Sequence, residues 1–170
     1  MDGQNRVTAT TAVDYLFKKL RPFEDDDGNI WLIPELMECY MKKERESGHA
    51  WFSMPSHISE GKVAEYNEKI QTGNRVRILF GLNDENVNND IAYSADVLEL
   101  HTSKRFVPCP EKDGEIPEFV GETNKTWVKM RGLKEERDIR ADMLIITSNG
   151  ESLKDRICHS QCHFAYVSLK

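Results

Sequence analysis

The apolar positions of the chain change period along its length, from mostly helical repeats in the N-terminal part to strand repeats beyond residue 73. In residues 8–20, Ala12, Val13, Leu16, Phe17 and Leu20 fall on one stripe, which predicts an amphipathic helix with threonines available to cap its start. An acidic loop at 24–27 and a short apolar run at 29–33 follow. Residues 35–46 carry Leu36, Met37, Tyr40 and Met41 on one side. Pro34 can open this second helix at its first turn, and Gly48 can stop it. After an aromatic strand at 49–54, Ser59 is the expected N-cap of a helix over 60–71, with Val63, Tyr66 and Ile70 inward and Gly73 at its end.

Strand patterns dominate thereafter. Residues 75–82 begin with alternation and become wholly apolar, as a central strand does. Residues 91–101 alternate cleanly, and residues 125–133 set Trp127, Lys129 and Arg131 against Val128 and Met130. An apolar run at 141–147, a short helix at 152–157 and a closing strand at 163–169 complete the series. Short strands, long loops and the absence of a βαβ rhythm predict an α+β fold: a small, curved, mixed sheet or open barrel with flanking helices. Residues 1–48 read as a helical N-terminal extension, and residues 49–170 as the β-rich domain, the two packed as one unit.

Composition narrows the function classes. Hydrophobic residues make up 39% and charged residues 31% of the chain, an ordinary globular balance. No apolar run approaches the roughly 20 residues that span a bilayer, and the first residues lack a signal-peptide core, so a cytoplasmic protein without membrane contact is expected. Cys39, Cys109, Cys158 and Cys162 are few and irregularly spaced, which predicts reduced thiols. With a net charge of −6, nucleic-acid binding requires a local basic face on an acidic remainder.

The motifs point away from self-sufficient catalysis. Gly61-Lys62 is followed by Val63 where a phosphate loop needs Ser or Thr, and no G-x-S-x-G or H-E-x-x-H occurs. Cys158, His159, Cys162 and His163 amount to half a zinc site without a second ligand pair, so neither metal nor cofactor is expected. A small hydrolase using Cys158 or Cys162 with a nearby histidine is a minor alternative.

Aromatic and basic residues carry more information. Trp51 stands between His49 and Ser53, and Trp127 between Lys125 and Lys129, a setting in which an indole can stack on a base while its neighbours read the base edge. The same pattern serves plain half-buried packing. Three basic sets, Lys42, Lys43 and Arg45, Lys104 and Arg105, and the stretch of Lys125, Lys129, Arg131, Lys134, Arg137 and Arg140, would form a phosphate-tracking rim if two of them met beside Trp51.

The order of HAWFSM (49–54), RVRILFGL (75–82), IAYSADVLEL (91–100), WVKM (127–130) and SQCHFAYV (160–167) resembles the PUA-like superfamily, closest to its EVE and YTH-like branch. The last two segments look like the ends of EVE-like domains fused to Mcr-type modification-dependent restriction motors. The resemblance implies a small mixed barrel that flips a modified, methylated base into an aromatic pocket. On this chain that pocket would be built from Trp51, Ser53, Pro55, Ser56, Trp127 and Tyr93. It also implies a DNA partner, with RNA second, and cleavage and NTP hydrolysis in a separate domain or subunit. The alternative from another class is a protein-interaction module whose first amphipathic segment docks a partner.

Overall fold

The structure, a computed structural model, describes residues 13–84, 87–159 and 162–170. The chain is α+β. Seven strands form one mixed sheet: β1 (Val13–Lys19), β4 (Ala50–Met54), β5 (Arg75–Leu82), β6 (Asp90–Pro108), β7 (Thr123–Glu135), β8 (Leu144–Ile146) and β9 (Phe164–Leu169). Their order is β4-β7-β6-β5-β1-β9-β8, and the sheet does not close on itself. A separate two-stranded ribbon joins β2 (Phe23–Glu24) to β3 (Ile30–Trp31). The described helices are α1 (Ile33–Ser47), α2 (Glu60–Gln71) and α3 (Leu153–His159).

The segment expected to be an N-terminal helix is β1 over residues 13–19. The expected threonine caps and the first positions of that helix lie outside the described residues. β1 runs parallel to β5 and antiparallel to β9, so it is an inner strand of the sheet. Both of its faces are buried, which explains the misleading pattern. Tyr15 and Phe17 join one core while Leu16 joins the other, and the strand period of two is hidden by apolar residues on both sides. β1 is therefore integral to the sheet rather than appended to it.

One face of the sheet is covered by α1 and α2. Its core includes Leu16, Met37, Tyr40, Phe52, Val63, Ile78, Phe80 and Met130. Pro34 lies in the first turn of α1, and Gly48 caps its end at φ 87°, a left-handed conformation that favours glycine. Ser59 Oγ accepts the Lys62 N–H and starts α2 at the expected residue. On the other face, α3 closes a smaller core of Phe17, Leu79, Leu144, Leu153 and Ile157 at the β9-β8 end. Between that core and the β4 end runs a polar band. There Ser94 Oγ donates to Glu136 Oε1 at 2.7 Å, Arg77 Nη2 donates to Ser94 Oγ at 2.7 Å, and Asp96 pairs with Arg75 and Arg77.

Candidate nucleic-acid interface

β6 and β7 pair through a ladder with three register shifts, and the largest one shapes the surface. Thr102 is opposite Thr126 and Val107 is opposite Asn124, so β6 spends residues 103–106 where β7 spends only Lys125. The surplus chain must leave the sheet, and it forms a protrusion of sequence Ser-Lys-Arg-Phe. Ser103 Oγ accepts the Arg105 N–H at 3.1 Å, which tightens its turn. Phe106 is 56% exposed at the tip, and Lys125 Nζ lies 5.2 Å from the centre of its ring. Lys104 and Arg105 are exposed beside it. Among the described residues, none of these three cations has an ion pair. An exposed phenylalanine flanked by unpaired positive charges is the composition of a wedge that contacts stacked bases and phosphates.

The base of the protrusion is fixed by a directional chain of hydroxyls. Thr126 Oγ1 donates to the Ser56 carbonyl at 2.6 Å, and Thr102 Oγ1 accepts the Ile58 N–H at 3.2 Å. The proton between the two threonines, 3.0 Å apart, is therefore supplied by Thr102. This chain holds the exposed turn bearing Pro55 and Ser56 against the root of the protrusion. Ser53 Oγ accepts from Asn124 Nδ2 at 2.7 Å on the neighbouring rung.

Trp51 and Trp127 are near this region but do not form an open cage. They are 3% and 1% exposed. Trp127 donates its indole N–H to the Val107 carbonyl at 3.0 Å, pinning the returning end of the protrusion. Trp51 donates to Glu111 Oε1 at 3.2 Å, and Glu111 also engages His49 Nε2 at 2.8 Å and Lys129 Nζ at 3.9 Å. These bonds to Trp51 and His49, with Lys129 alongside, outweigh the opposing effect of burial and hold the Glu111 carboxyl below its usual range. Residues 109–122 thus act as a strap over Trp51. Gly114 makes this possible, since a Cβ there would lie 2.7 Å from Trp51 Cδ1 and 3.0 Å from Cys109 Sγ. Lys43 Nζ ties the strap to α1 through the Asp113 carbonyl at 2.9 Å. The polar neighbours that singled out these tryptophans have other partners: His49 engages Glu111, Ser53 accepts from Asn124, Lys125 lies over Phe106, and Lys129 lies over the Trp51 ring at 6.0 Å.

The expected site residues separate accordingly. Lys104, Arg105 and Lys125 meet at the protrusion, with Pro55 and Ser56 beside its root. Lys43 and Lys129 serve the strap. Lys42 is exposed on α1, and Arg131 stands five residues along β7 from Thr126, about 17 Å away if the strand is straight. Tyr93 belongs to the helix-covered core, nine residues up β6 from Thr102, and burial raises its phenol above the usual range.

Reading the chain alone overlooked Phe106 and the hollow next to it. A hollow of about 530 Å³ lies between α2 and β6, bordered by Glu60, Val63, Leu98, Glu99, His101 and Thr102. Asn67 builds its floor, because its amide donates to the Leu100 carbonyl and accepts the Leu100 N–H, both at 2.9 Å. It replaces the neighbouring strand that β6 lacks there. Glu99 and His101 are hydrogen-bonded to each other at the rim, and the His101 ring lies 5.7 Å from that of Trp51. An asparagine at an inward helical position was the one signal for this arrangement.

Three of the thiols are buried or partly buried. Burial raises Cys39 and Cys162, and pushes Cys109 up to about 11. Among the described residues no cluster of three His, Cys, Asp or Glu is arranged to hold a metal ion. The Ser160 and Gln161 positions of the last motif lie outside the described residues. No helix among those described is long and apolar enough to cross a membrane. No model of a known protein family matches the chain, and no curated protein matches it.

Proposed function

We propose that the chain is a DNA-binding specificity module that wedges Phe106 into the base stack and receives a displaced, modified base beside it. The observation that carries this reading is the protrusion itself: one exposed aromatic ring with Lys104, Arg105 and Lys125 around it, on a chain of net charge −6. An apolar wedge costs solvation energy at a surface, and unpaired cations at its sides favour a polyanion as the partner. The hollow between α2 and β6 reaches Thr102 at the root of the protrusion, is large enough for a base, and is bordered by the carboxylates Glu60 and Glu99. Carboxylates accept hydrogen bonds from exocyclic amino groups, so the base it favours is a cytosine or an adenine, with apolar room at Val63 and Leu98 for an added methyl group. This moves the proposed base site from the Trp51 chamber, which the strap closes, to the open side of β6. The modification itself is proposed from the family resemblance.

The test is fluorescence anisotropy with matched oligonucleotides, unmodified and methylated at cytosine or adenine. Phe106→Ala is expected to weaken binding by about 1–3 kcal/mol, the value of one stacking contact. Replacing Lys104, Arg105 and Lys125 by Gln should flatten the salt dependence by about 0.7–0.9 logarithmic units per charge that meets a phosphate. Glu99→Gln should reduce the preference among bases more than the overall affinity. Affinity indifferent to all five substitutions would overturn the reading, and equal affinity for methylated and unmodified strands would remove its modified-base part.

The protein-interaction alternative rested on an amphipathic segment over 8–20 and on the acidic charge; the described part of that segment is β1, an inner strand, and the charge of −6 remains.

A further inference from the structure

A second basic group lies across the sheet from the protrusion, where β1 ends and β9 begins. Lys18 is directly opposite Phe164 in the antiparallel ladder, so their side chains leave the same face. The Lys19 N–H donates to the His163 carbonyl at 2.9 Å, which brings His163 alongside the end of β1. Arg21 follows two residues later and is exposed, while Lys18 is half-buried. Phe164 meets Tyr166 edge-on at 5.3 Å, and Tyr166 stacks on Tyr66 at 5.2 Å, so an aromatic floor extends from the cations under α2.

Like the cations of the protrusion, this group has no counter-charge among the described residues, and it includes a half-buried lysine. Nearby cations have carboxylates: Lys69 pairs with Asp14 and Glu65, Lys62 with Glu65, and Arg75 with Asp96. Among the described residues, Lys18, Lys19, Arg21 and His163 have none. Their mutual repulsion is visible in their proton affinities. Burial, and then Arg21, lower that of Lys18; burial, and then Arg21, Lys18 and Lys19, lower that of His163. Half-buried charge of one sign is costly unless an anion joins it.

We infer that Lys18, Arg21 and His163 form a binding site for a phosphate monoester, with Phe164 as the wall against which the ester group rests. Two fixed cations and one imidazole able to take up a proton match a dianion better than the single charge of a backbone diester. The site is separate from the protrusion and stands or falls independently of the proposed DNA wedge. The monoester could come from a small phosphorylated metabolite or from the terminal phosphate of a nucleic-acid strand.

The experiment follows the His163 imidazole by NMR, assigned by its loss in His163→Gln, during titration with inorganic phosphate, phenyl phosphate, and one oligonucleotide with and without a 5′-phosphate. A bound dianion stabilises the imidazolium, so His163 should titrate at higher pH when phosphate is present. Phenyl phosphate should bind more tightly than inorganic phosphate. Arg21→Gln, at an exposed position, should weaken binding at least about tenfold without disturbing the fold, and Lys18→Gln should do the same. Saturation by phenyl phosphate at lower concentration than by the phosphorylated oligonucleotide assigns the site to a small molecule. The reverse order assigns it to strand ends. A His163 response that chloride reproduces at equal ionic strength, or that Arg21→Gln leaves unchanged, overturns the inference.

Discussion

At Gly81 the sheet depends on the absence of a single carbon. A Cβ there would lie 2.5 and 2.7 Å from two carbons of the buried Phe17 ring, so β5 can pass β1 only with glycine at this position. Gly81→Ala should cost about 1–3 kcal/mol, as overpacked cores do, and Phe17→Leu in the same chain should recover part of it; urea midpoints measure both. Glu136 is a second such residue. Burial works to raise its carboxyl, but the Ser94 hydroxyl, the Asp138 N–H, Arg77 and the Ile139 N–H together hold it below the ordinary value. A depressed carboxylate contributes stability above its unfolded value, about 4.3, and loses that contribution as pH falls through the lower folded value. Glu136→Ala, which leaves the nearly buried Arg77 without this partner, should cost about 3–5 kcal/mol at pH 7. The gap between wild type and Glu136→Gln should close as unfolding is measured at pH 5, 4 and 3. The sequence showed where residues of this kind belong but not which way they face. His49, Ser53 and Lys129 around the tryptophans read equally well as the rim of a pocket and as the polar surround of buried indoles, and only the strap 109–122, whose Glu111 engages His49 and Trp51, decides between the two.

Among the elements, those with a local stop signal were legible. Pro34 and Gly48 bracket α1, and Ser59 starts α2 at the residue expected, because caps act within a few residues of the chain. β1 was not legible, since Val13, Leu16, Phe17 and Leu20 satisfy a helical stripe and a strand buried on both faces equally well. The protrusion was invisible for another reason. Its cause is a mismatch in length between β6 and β7, which no single strand carries in its own sequence. One long-range tie illustrates how elements support each other here. Glu44 of α1 accepts the Gly132 N–H at 2.8 Å and the Leu133 N–H at 3.1 Å, just beyond the last rung that β4 supplies to β7. The carboxylate thus completes the ladder where the edge strand has ended. Glu44→Ala should cost about 1–3 kcal/mol by leaving these donors without an acceptor, and hydrogen exchange should quicken at Gly132 and Leu133 while the amides of β5 remain protected.

For the molecule as a whole, β1 is an inner strand of the same sheet that the strands beyond residue 49 build. A chain cut to residues 49–170 would lack β1 and α1, leaving β5 and β9 without their shared neighbour and one core with α2 but not α1 to cover it. Such a fragment is expected to show no cooperative melt by circular dichroism, whereas independent folding would show that the first strand is dispensable. Charge is also arranged at this scale. The protrusion and the Lys18 group lie on opposite sides of β5 in the strand order, so the net negative chain carries two separated positive surfaces. The position of β1 has a further consequence, for the timing of folding. Tyr15 pairs with Val167, so β1 waits for a partner strand made much later along the chain. At synthesis rates of about 5–20 residues per second, β1 spends on the order of ten seconds without one of its two neighbours. Such distant pairing places refolding in the slow, millisecond-to-second regime. Until β9 arrives, one edge of β1 is an unpaired apolar template, and that interval is when the chain is most exposed to aggregation.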